Sequence, residues 1–575
     1  MYQAGWSKQE IAVTPQGYAM HGFGMATHRA TAQRVPLHAR ALVLRDAAGK
    51  SLAFCCLDLG YVTWSMREGI VARLTAALGD AFDEAALVLT CTHTHSGPGG
   101  CAHEVMYNLV TPGFVPAHLE AVIVASVAAI LDAWNSAAPA SLSLAHGDFA
   151  EHMPVAWNRS IKAWNRNPDV QQYSFSETQK ALDRRMNLLT LRRDGQLQAL
   201  LSLFGVHATC LGSGLHSYDG DNKGYAARQL EQQLTADGAS GPVAIFAQAT
   251  AGDVSPYYHG PGDLKRRQQL VGEAEYEYAE QNGRRQSERA LAIAASGKER
   301  TVEGGIDAVL TYLDFTNIKA DPAFASGDTE AWTSEPCHGV AFFVGTPVDG
   351  LGIAKPLGKA ISALAWAVKK YREDHMDEFP PEEQAYYRRI YAAQGPKSII
   401  MESGRRKRVL GQPMDKLKVP TILDPVVGEL KRQAALGAVD QSAFVPTVLP
   451  LQIVRIGNLA LVCCPGEFTT TAGRRVVQAV EAELQGKGIE KVLICTYCNE
   501  YMGYVTTQEE YQEQAYEGGH TIFGQWTLAA FQTGFARLAG ELVKEDSARQ
   551  HDRQTRPALA PAAELALRTA KGPRR

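Results

Sequence analysis

Two histidines, His93 and His95, lie one residue apart in the segment Thr92–Gly100, which reads THTHSGPGG. Imidazole is the commonest metal ligand in proteins and the commonest general acid or base near neutral pH. The apolar run Ala86–Thr90 precedes the pair, and three glycines and a proline follow it. This pattern predicts a buried strand leading into a turn where backbone can approach a ligand closely. On an extended segment, side chains two residues apart point the same way, so we expect both rings in one pocket.

Three other apolar runs also end in a residue that can bind a metal or a substrate. His207 follows Ala199–Val206, Glu467 follows Leu459–Gly466, and a tyrosine, either Tyr501 or Tyr504, follows Val492–Cys498. A structural role is the simplest explanation for any one of these residues taken alone. Sites in open α/β sheets, however, gather outside the carboxyl ends of strands. Two histidine nitrogens and one carboxylate are a familiar catalytic zinc set that leaves a position for water, so the four runs together favour a metal site.

Several polar stretches combine residue types that ordinary loops rarely bring together. They are Asn158–Asn165, Gly220–Tyr225, Ala251–Pro256 and Tyr504–Gly519. Turn formation and helix capping would explain any one of them alone. Within them, Arg159 and Tyr516 are candidates to bind a carbonyl or a hydroxyl group, and Ser255 falls in a tight turn.

Strand-like and helix-like patterns alternate along much of the chain. Strands are predicted at Ala39–Arg45, Leu52–Leu59, Ala86–Thr90, Leu188–Leu191, Gln198–Val206, Pro242–Ala249, Ala308–Phe315, Val340–Val344, Leu451–Ile456, Leu459–Cys464 and Lys491–Thr496. Helices are predicted at Ser65–Leu78, His118–Trp134, Lys265–Ala295 and Gln525–Val543. We therefore expect a mixed α/β fold with a large central sheet flanked by helices and the site at the carboxyl ends of its strands.

The chain has 575 residues, 45% apolar and 21% charged content, and a formal net charge of -4. This balance is ordinary for a globular protein and gives no reason to expect a nucleic-acid partner. We expect one catalytic domain over residues 1–545. It contains a helical and irregular insertion at about 355–445, and residues 546–575 are expected to form a flexible tail.

No apolar signal segment opens the chain, so we expect a cytoplasmic protein. The most apolar long stretch, Leu119–Trp134, is short for a bilayer span and carries Glu120 and Asp132, which favours a core helix and no transmembrane segment. The ten cysteines lie mostly in strand-like runs and are expected to be reduced core residues. Cys495 and Cys498 have CxxC spacing, but no second pair completes a structural zinc site.

Six ordered motifs between Gly5 and Gln532 resemble the neutral/alkaline non-lysosomal ceramidase family. They are THTHSGPGG, NRS-x₂-A-[WY]-x₂-N, GDNKGYA, GDVSP, PGEFTT-x-AGRR and YVTT-x-EEY-x₂-Q-x-YEG. The resemblance implies a hydrolase with one zinc ion that cleaves the N-acyl bond of ceramide, releasing sphingosine and a fatty acid. It also implies a lipid substrate and allows peripheral contact with a membrane. The immunoglobulin-like domain that follows the catalytic domain in secreted members is not expected here.

The resemblance also assigns roles to individual residues. It implies that the zinc ligands are His93, His207, Glu467 and Tyr504, the last preferred to Tyr501 because it belongs to the YVTT motif. His95, Arg159 and Tyr516 are implied to line the amide and headgroup pocket. Among these, either His95 or Arg159 would hold the developing oxyanion, and His95 is a candidate to pass a proton to the leaving amine. Ser255 matches the serine that the family treats as catalytic.

Two other functions remain open at this point. The same zinc chemistry would suit a different N-acyl amine or a small amide, and a non-catalytic lipid-binding protein would keep the fold without the reaction. The attacking group is also open between Ser255 and a water molecule. Water is preferred because the sequence shows no obvious base for the serine. The oligomeric state is not predicted.

Overall fold

The computed structural model describes residues 2–111, 113–256, 267, 269–346, 349–416 and 425–573. Its first sheet has nine strands, which are β1 (Tyr2–Glu10), β2 (His38–Arg45), β3 (Ser51–Leu57), β4 (Leu87–Cys91), β5 (Ala138–Asp148), β6 (Arg185–Arg193), β7 (Gln196–Leu203), β8 (Val243–Ala247) and β9 (Arg300–Thr301). Their order is β8-β7-β6-β5-β1-β2-β3-β4, with β9 beside β5. Pairs β7–β8 and β3–β4 are parallel, and the other pairs are antiparallel.

A second sheet packs against the first. Its strands, in spatial order, are β10 (Ile306–Asp314), β11 (Val448–Ile456), β12 (Leu459–Cys463) and β13 (Lys491–Cys495). Alternate side chains of both sheets, such as Leu52 and Phe54 in β3 and Leu459 and Leu461 in β12, join one buried core. Because side chains alternate across a strand, the remaining residues of these strands face outward and must be covered by helices.

Helices cover both outer faces, so the molecule has four layers. The helices are α1 (Trp64–Leu78), α2 (Pro116–Asn135), α3 (Asp221–Ala236), α4 (Glu273–Ala294), α5 (Val340–Val344), α6 (Lys355–Asp374), α7 (Pro381–Gln394), α8 (Pro425–Ala435), α9 (Thr470–Leu484), α10 (Tyr516–Gly519), α11 (Thr527–Leu542) and α12 (Ala562–Arg568), with shorter turns between them. α1 to α4 cover the first sheet, and α9 and α11 cover the second. The predicted mixed α/β fold with a large sheet flanked by helices is confirmed. The sequence did not predict the second sheet.

The prediction of a strand at Val340–Val344 was wrong, since these residues form helix α5. The run is apolar enough for a buried strand, but Gly339 precedes it and Gly345 follows with φ +75°. A five-residue apolar run cannot be assigned from its periodicity alone. The helix at Lys265–Ala295 is observed as Glu273–Ala294, and residues 265, 266 and 268 lie outside the described residues.

Helix α2 is the one described helix that is long and apolar enough to cross a membrane by length and composition alone. Its buried residues, including Val122 and Ile130, join the core formed with β2 and β3, as expected of a core helix. All ten cysteines are buried and unpaired, which confirms the prediction of reduced core residues.

The segment after Glu545 differs from the predicted flexible tail. Arg568 in α12 is buried, and the backbone N–H of Phe114 donates to its carbonyl oxygen at 2.9 Å. The N–H of Ala570 donates back to Phe114 at 2.7 Å. Backbone pairing and polar contacts, rather than an apolar stripe, hold the segment, so the sequence pattern did not reveal it.

The insertion at about 355–445 is more regular than expected. It contains α6 and α7, and its strands Ile399–Ser403, Lys407–Val409 and Gln412–Pro413 form a small sheet with Cys337–Gly339. Residues 417–424 of the insertion lie outside the described residues.

Candidate metal and catalytic centre

Three ligand-type side chains from three distant parts of the chain meet where the strands end. His93 follows β4, His207 follows β7 and Glu467 follows β12. Their ligand atoms all lie within 4.8 Å of one another, and all three residues are buried. Oε2 of Glu467 lies 2.9 Å from Nε2 of His207 and 3.5 Å from Nε2 of His93. Two imidazoles and one carboxylate therefore face a common point, which is a donor set that can hold a metal ion.

The outer nitrogen of each ring is held by a backbone carbonyl. Nδ1 of His93 lies 2.6 Å from the carbonyl oxygen of Gly60, and Nδ1 of His207 lies 3.0 Å from that of Val254. When Nδ1 carries the hydrogen and donates it, Nε2 keeps its lone pair and points it toward Glu467. Carbonyl partners of this kind orient metal-binding histidines, so the residues present fit a bound cation.

Glu467 is ionised and supported by two tyrosines. Burial opposes ionisation, but the adjacent His93 and His207 outweigh it and hold the pKa of Glu467 well below its ordinary value. The hydroxyl of Tyr497 donates to Oε2 at 3.2 Å, and the hydroxyl of Tyr501 donates to Oε1 at 2.5 Å. A buried negative charge held in this way favours a positive ion beside it.

The two tyrosines left open by the sequence occupy different positions. Tyr501 supports Glu467, whereas the hydroxyl oxygen of Tyr504 lies 3.2 Å from Nε2 of His207. A short parallel pairing of Glu467–Phe468 with Tyr504–Val505 brings Tyr504 alongside the carboxylate. Tyr504 is therefore the tyrosine that faces Nε2 of His207, and Tyr501 lies behind the carboxylate.

His95 lies beside His93, but not on an extended strand as predicted. His93 has φ +65°, so the chain turns between the two rings, which still lie 4.8 Å apart and nearly perpendicular. Nε2 of His95 is 3.1 Å from Nε2 of His93. Its Nδ1 has no hydrogen-bond partner among the described residues. Burial and the neighbouring His93 hold the pKa of His95 well below its ordinary value, so the ring is neutral at pH 7.

A loop near the N-terminus covers His95. The ring of Phe23 packs edge-on against His95 at 4.6 Å. Gly22 has φ +125°, and a Cβ atom there would lie 2.3 Å from Cγ of His95. The backbone therefore passes directly over the ring, and only glycine fits at this position.

The glycines that follow His95 serve packing rather than access. A Cβ atom on Gly99 would lie 2.6 Å from the carbonyl oxygen of Ala19, and one on Gly100 would lie 2.6 Å from Val115. The turn is thus tightly enclosed by neighbouring loops, and Gly99 and Gly100 allow this close packing rather than the predicted close approach to a ligand.

The side chain of Arg159 is buried and makes four hydrogen bonds. Its guanidinium donates to Glu517 at 2.9 Å, to Asp349 at 2.5 Å and to the carbonyl oxygen of Gly252 at 2.8 Å. It also donates to the hydroxyl of Tyr504 at 3.0 Å. These contacts hold Arg159 in place, and Arg159 in turn positions the hydroxyl of Tyr504, which faces His207.

Sequence reasoning missed Asp349, which links Ser255 to Arg159. The hydroxyl of Ser255 donates to Oδ1 of Asp349 at 3.0 Å, and Thr209 donates to the same oxygen at 2.9 Å. Asp349 lies five residues after the apolar run Val340–Val344, beyond Gly345 and Pro347, and precedes a glycine, so its sequence suggests only a turn. No local pattern distinguishes it from the other Asp-Gly pairs of surface loops.

Tyr516, the last of the predicted site residues, lies beside Tyr504. Its ring lies 5.3 Å from that of Tyr504 at a steep angle, and Arg159 lies over its face at 5.6 Å. Phe342 of α5 packs on its other side at 5.4 Å. The structure therefore brings every sequence-predicted site residue into one region around the three ligand-type side chains.

The GDNKGYA motif lies behind the site and positions it. The side-chain amide of Asn222 donates to the carbonyl oxygen of His207 at 2.9 Å, and Asp221 accepts the N–H groups of Cys210 and Leu211. Lys223 is buried and donates to the carbonyl oxygen of Phe204 at 2.6 Å. These contacts fix the backbone on both sides of His207.

Comparison with known proteins identifies relatives along nearly the whole chain. Residues 2–422 and 432–533 match the family described as neutral/alkaline non-lysosomal ceramidase, N-terminal. A neutral ceramidase of Pseudomonas aeruginosa is 30% identical over 546 residues, covering 94% of this chain and 72% of the relative. One from Mycobacterium tuberculosis is also 30% identical, covering 94% of this chain and 77% of the relative.

Two solved structures are similar to the fold. A structure described as ceramidase complexed with C2 has a TM-score of 0.78 and 29% identity, covering 97% of this chain and 77% of the other. The crystal structure of neutral ceramidase from Pseudomonas aeruginosa has a TM-score of 0.75 and 29% identity, covering 98% and 77%. The family match also covers residues 355–422 and 432–445 of the predicted insertion.

Proposed function

Because the chain belongs to the neutral/alkaline non-lysosomal ceramidase family, we propose that it is a zinc-dependent amide hydrolase acting on ceramide or a closely related N-acyl lipid. The products are a sphingoid base and a fatty acid. The proposal rests on the buried cluster of His93, His207 and Glu467, in which each imidazole is oriented by a backbone carbonyl.

One zinc ion per chain would be held by His93, His207, Glu467 and Tyr504. The ion supplies Lewis-acid polarisation of the amide carbonyl and lowers the pKa of a water molecule to about 7. The donor set of nitrogen and oxygen atoms suits zinc, and the ionised Glu467 offsets part of its charge.

Tyr504 and Arg159 would stabilise the negative charge that develops on the carbonyl oxygen. The Tyr504 hydroxyl accepts a hydrogen bond from Arg159, and its own hydrogen would be available to the substrate once Nε2 of His207 is bound to the metal. Because Arg159 is held by Glu517 and Asp349, the hydroxyl is positioned before the reaction begins. A preorganised donor of this kind costs no rearrangement at the transition state.

His95 is the residue proposed to move the proton. Its ring is neutral at pH 7, and Nδ1 has no partner among the described residues. A neutral imidazole can take a proton from attacking water and return it to the leaving nitrogen. Tyr516, which packs on Tyr504, would line the amide and headgroup pocket.

Ser255 is proposed to orient the substrate, with water as the attacking group. The hydroxyl of Ser255 donates to the carboxylate of Asp349 at 3.0 Å. Burial tends to raise the pKa of Asp349, but Arg159 and His207 outweigh it and lower the pKa below its ordinary value. A carboxylate with a lowered pKa is a weak base, so it is poorly suited to activating a serine.

The test is hydrolysis by the purified full chain, followed by mass spectrometry of both products. We expect N-acyl sphingosine to be cleaved, a chelator to abolish cleavage, and added zinc to restore it. Cleavage of water-soluble N-acyl amines alone would favour the other amidohydrolase. Zinc content near zero, with no hydrolysis after zinc addition, would favour the non-catalytic lipid-binding protein.

A further inference from the structure

The three tyrosines that support the candidate metal ligands lie on one loop, residues 497–504, which we call the tyrosine loop. Two of them donate to the carboxylate of Glu467, and the third faces Nε2 of His207. Tyr497 and Asn499 of this loop have φ +58° and φ +64°. Residues other than glycine adopt this left-handed conformation at a cost in free energy, so the surrounding structure must hold the loop in shape.

Asn499 ties the tyrosine loop to strand β4 of the first sheet. Its N–H donates to the carbonyl oxygen of Leu89 at 2.9 Å, and its side-chain oxygen accepts the N–H of Leu89 at 3.1 Å. The same oxygen accepts a hydrogen bond from Arg67 at 2.7 Å, and the side-chain amide donates to Gln452 of the second sheet at 2.8 Å. Because β4 ends two residues before His93, these contacts fix the loop to the strand that leads to a candidate metal ligand.

Glu500 ties the same loop to the turn that orients His93. One oxygen of its buried carboxylate accepts the N–H of Tyr501 at 3.0 Å, and the other accepts the N–H of Trp64 at 3.0 Å. Trp64 is the first residue of α1, so Glu500 accepts one of the N–H groups that have no partner within the helix. Four residues before Trp64 lies Gly60, whose carbonyl oxygen holds Nδ1 of His93.

We propose that Glu500 is a positioning residue of the metal centre. It joins the turn before α1, which orients His93, to the tyrosine loop, which supports Glu467. These two candidate ligands follow strands of different sheets, so a link between their supports sets the separation of the ligands before a metal ion binds. Partners that orient the ligands in this way raise the affinity of a metal site. This inference rests on the proposed function, because it assumes that zinc occupies the site.

A purely structural role is the alternative explanation for Glu500. Its contact with Trp64 would stabilise α1 in any case, because an acidic group is favourable at a helix N-terminus. A structural role alone predicts a lower Tm on substitution and unchanged zinc binding. The positioning role also predicts weaker zinc binding, since Tyr501, the second contact of Glu500, donates to Glu467 at 2.5 Å. Zinc affinity therefore distinguishes the two roles.

The first experiment measures the zinc affinity of the full chain by competition with a chromophoric chelator. Glu500→Gln keeps the shape of the side chain but replaces one accepting oxygen by an NH₂ group, so at least one of the two backbone N–H groups loses its partner. We expect the zinc affinity of this variant to be about 10- to 100-fold lower than that of wild type. Its kcat should recover when zinc is saturating, because the ligands themselves are unchanged.

Asp46→Asn is the matched control. The buried carboxylate of Asp46 also accepts backbone N–H groups, three of them at 2.7–3.0 Å, but it lies before β3, at the opposite end of that strand from the turn that leads into α1. The same change of carboxylate to amide should lower Tm here and leave zinc affinity unchanged. If Glu500→Gln binds zinc as tightly as wild type does, the positioning role is wrong, whatever the effect on Tm.

Tyr107→Phe is a milder variant for use if Glu500→Gln does not fold. The hydroxyl of Tyr107 donates to the carbonyl oxygen of Tyr501 at 2.7 Å, and the substitution removes this hold on the tyrosine loop while keeping the ring. Weaker zinc binding than wild type would support the proposal, and wild-type affinity would then overturn it. If wild type itself binds no zinc, the proposed function is wrong and the positioning role falls with it.

Discussion

The hydroxyl oxygen of Tyr504 lies 3.2 Å from Nε2 of His207 and accepts a hydrogen bond from Arg159 at 3.0 Å. One phenol thus joins a residue that can bind a metal to a buried guanidinium. This relationship places Tyr504 where it can be both a ligand and a hydrogen-bond donor to the substrate. It also separates Tyr504 from Tyr501, which contacts Glu467 instead.

Replacing each tyrosine by phenylalanine should therefore have different effects. Tyr504→Phe removes the group that faces the substrate, and we expect kcat to fall about 10²- to 10³-fold. Tyr501→Phe removes a support of Glu467, and we expect zinc affinity to fall about 10- to 100-fold. Steady-state kinetics at saturating zinc and a chelator competition assay measure the two quantities. Identical profiles for the two variants would contradict these assignments.

Substitutions of the two histidines of the THTH segment should also differ in their effects on metal content and activity. His93→Ala removes a nitrogen that faces Glu467, so both bound zinc and activity should be lost. His95→Ala should keep the metal and lose activity, because its proposed role is proton transfer. Elemental analysis of the purified variants gives the metal content. His152→Ala, at an exposed position, is the control, and equal metal loss in both site variants would mean that the pair was assigned wrongly.

Ser255 should not become acylated during turnover. If water attacks, rapid quenching followed by intact-mass measurement will show no fatty-acyl adduct on the protein. Asp349→Asn should lower kcat/KM, because it weakens the contacts that hold Arg159 and Ser255. An adduct that disappears in Ser255→Ala would show that the serine is the nucleophile.

Arg568, which lies in the C-terminal segment, should stabilise the folded domain. Its side chain donates to the carbonyl oxygen of His103 at 3.0 Å and to Ser442 at 2.9 Å. Hydrogen bonds from charged groups contribute about 1.5–3 kcal/mol each, so Arg568→Ala should clearly lower Tm. Arg553→Ala is the control, since Arg553 is largely exposed and pairs only with Asp546 in the described contacts. Equal thermal shifts in the two variants would argue against a structural role for the buried arginine.

The buried Lys223 should make stability rise with pH. Burial lowers its pKa to about 7, whereas an unfolded lysine has a pKa of about 10.4. Between these values the unfolded state binds more protons, so stability should increase by up to about 1.4 kcal/mol per pH unit. The penalty is fully present below pH ~7 and disappears above pH ~10.4.

Lys223→Met removes this titration. Thermal unfolding of wild type and variant from pH 7 to 10 should show a positive wild-type slope that the variant lacks. The comparison must use the difference between the two proteins, because other groups titrate in the same range. Parallel curves would mean that Lys223 keeps an ordinary pKa in the folded protein.

Much of the site was predictable because its residues follow apolar strands. His93, His207 and Glu467 each come shortly after a buried run, and a strand's end is encoded locally by the change from apolar to polar residues. The mixed α/β class followed from the same alternation. Local sequence therefore determined the elements, their approximate bounds and the candidate ligands.

What only the tertiary structure decided is how distant elements meet. Two sheets rather than one bring β4, β7 and β12 to a shared point, and strand pairing over hundreds of residues has no local pattern. Asp349 and the buried Arg568 escaped prediction for the same reason, since their partners are remote in sequence. The turn at His93 and the cover of Gly22 over His95 also depend on packing between loops. The sequence by itself determined which residues can do the chemistry, and long-range packing determined which of them face one another.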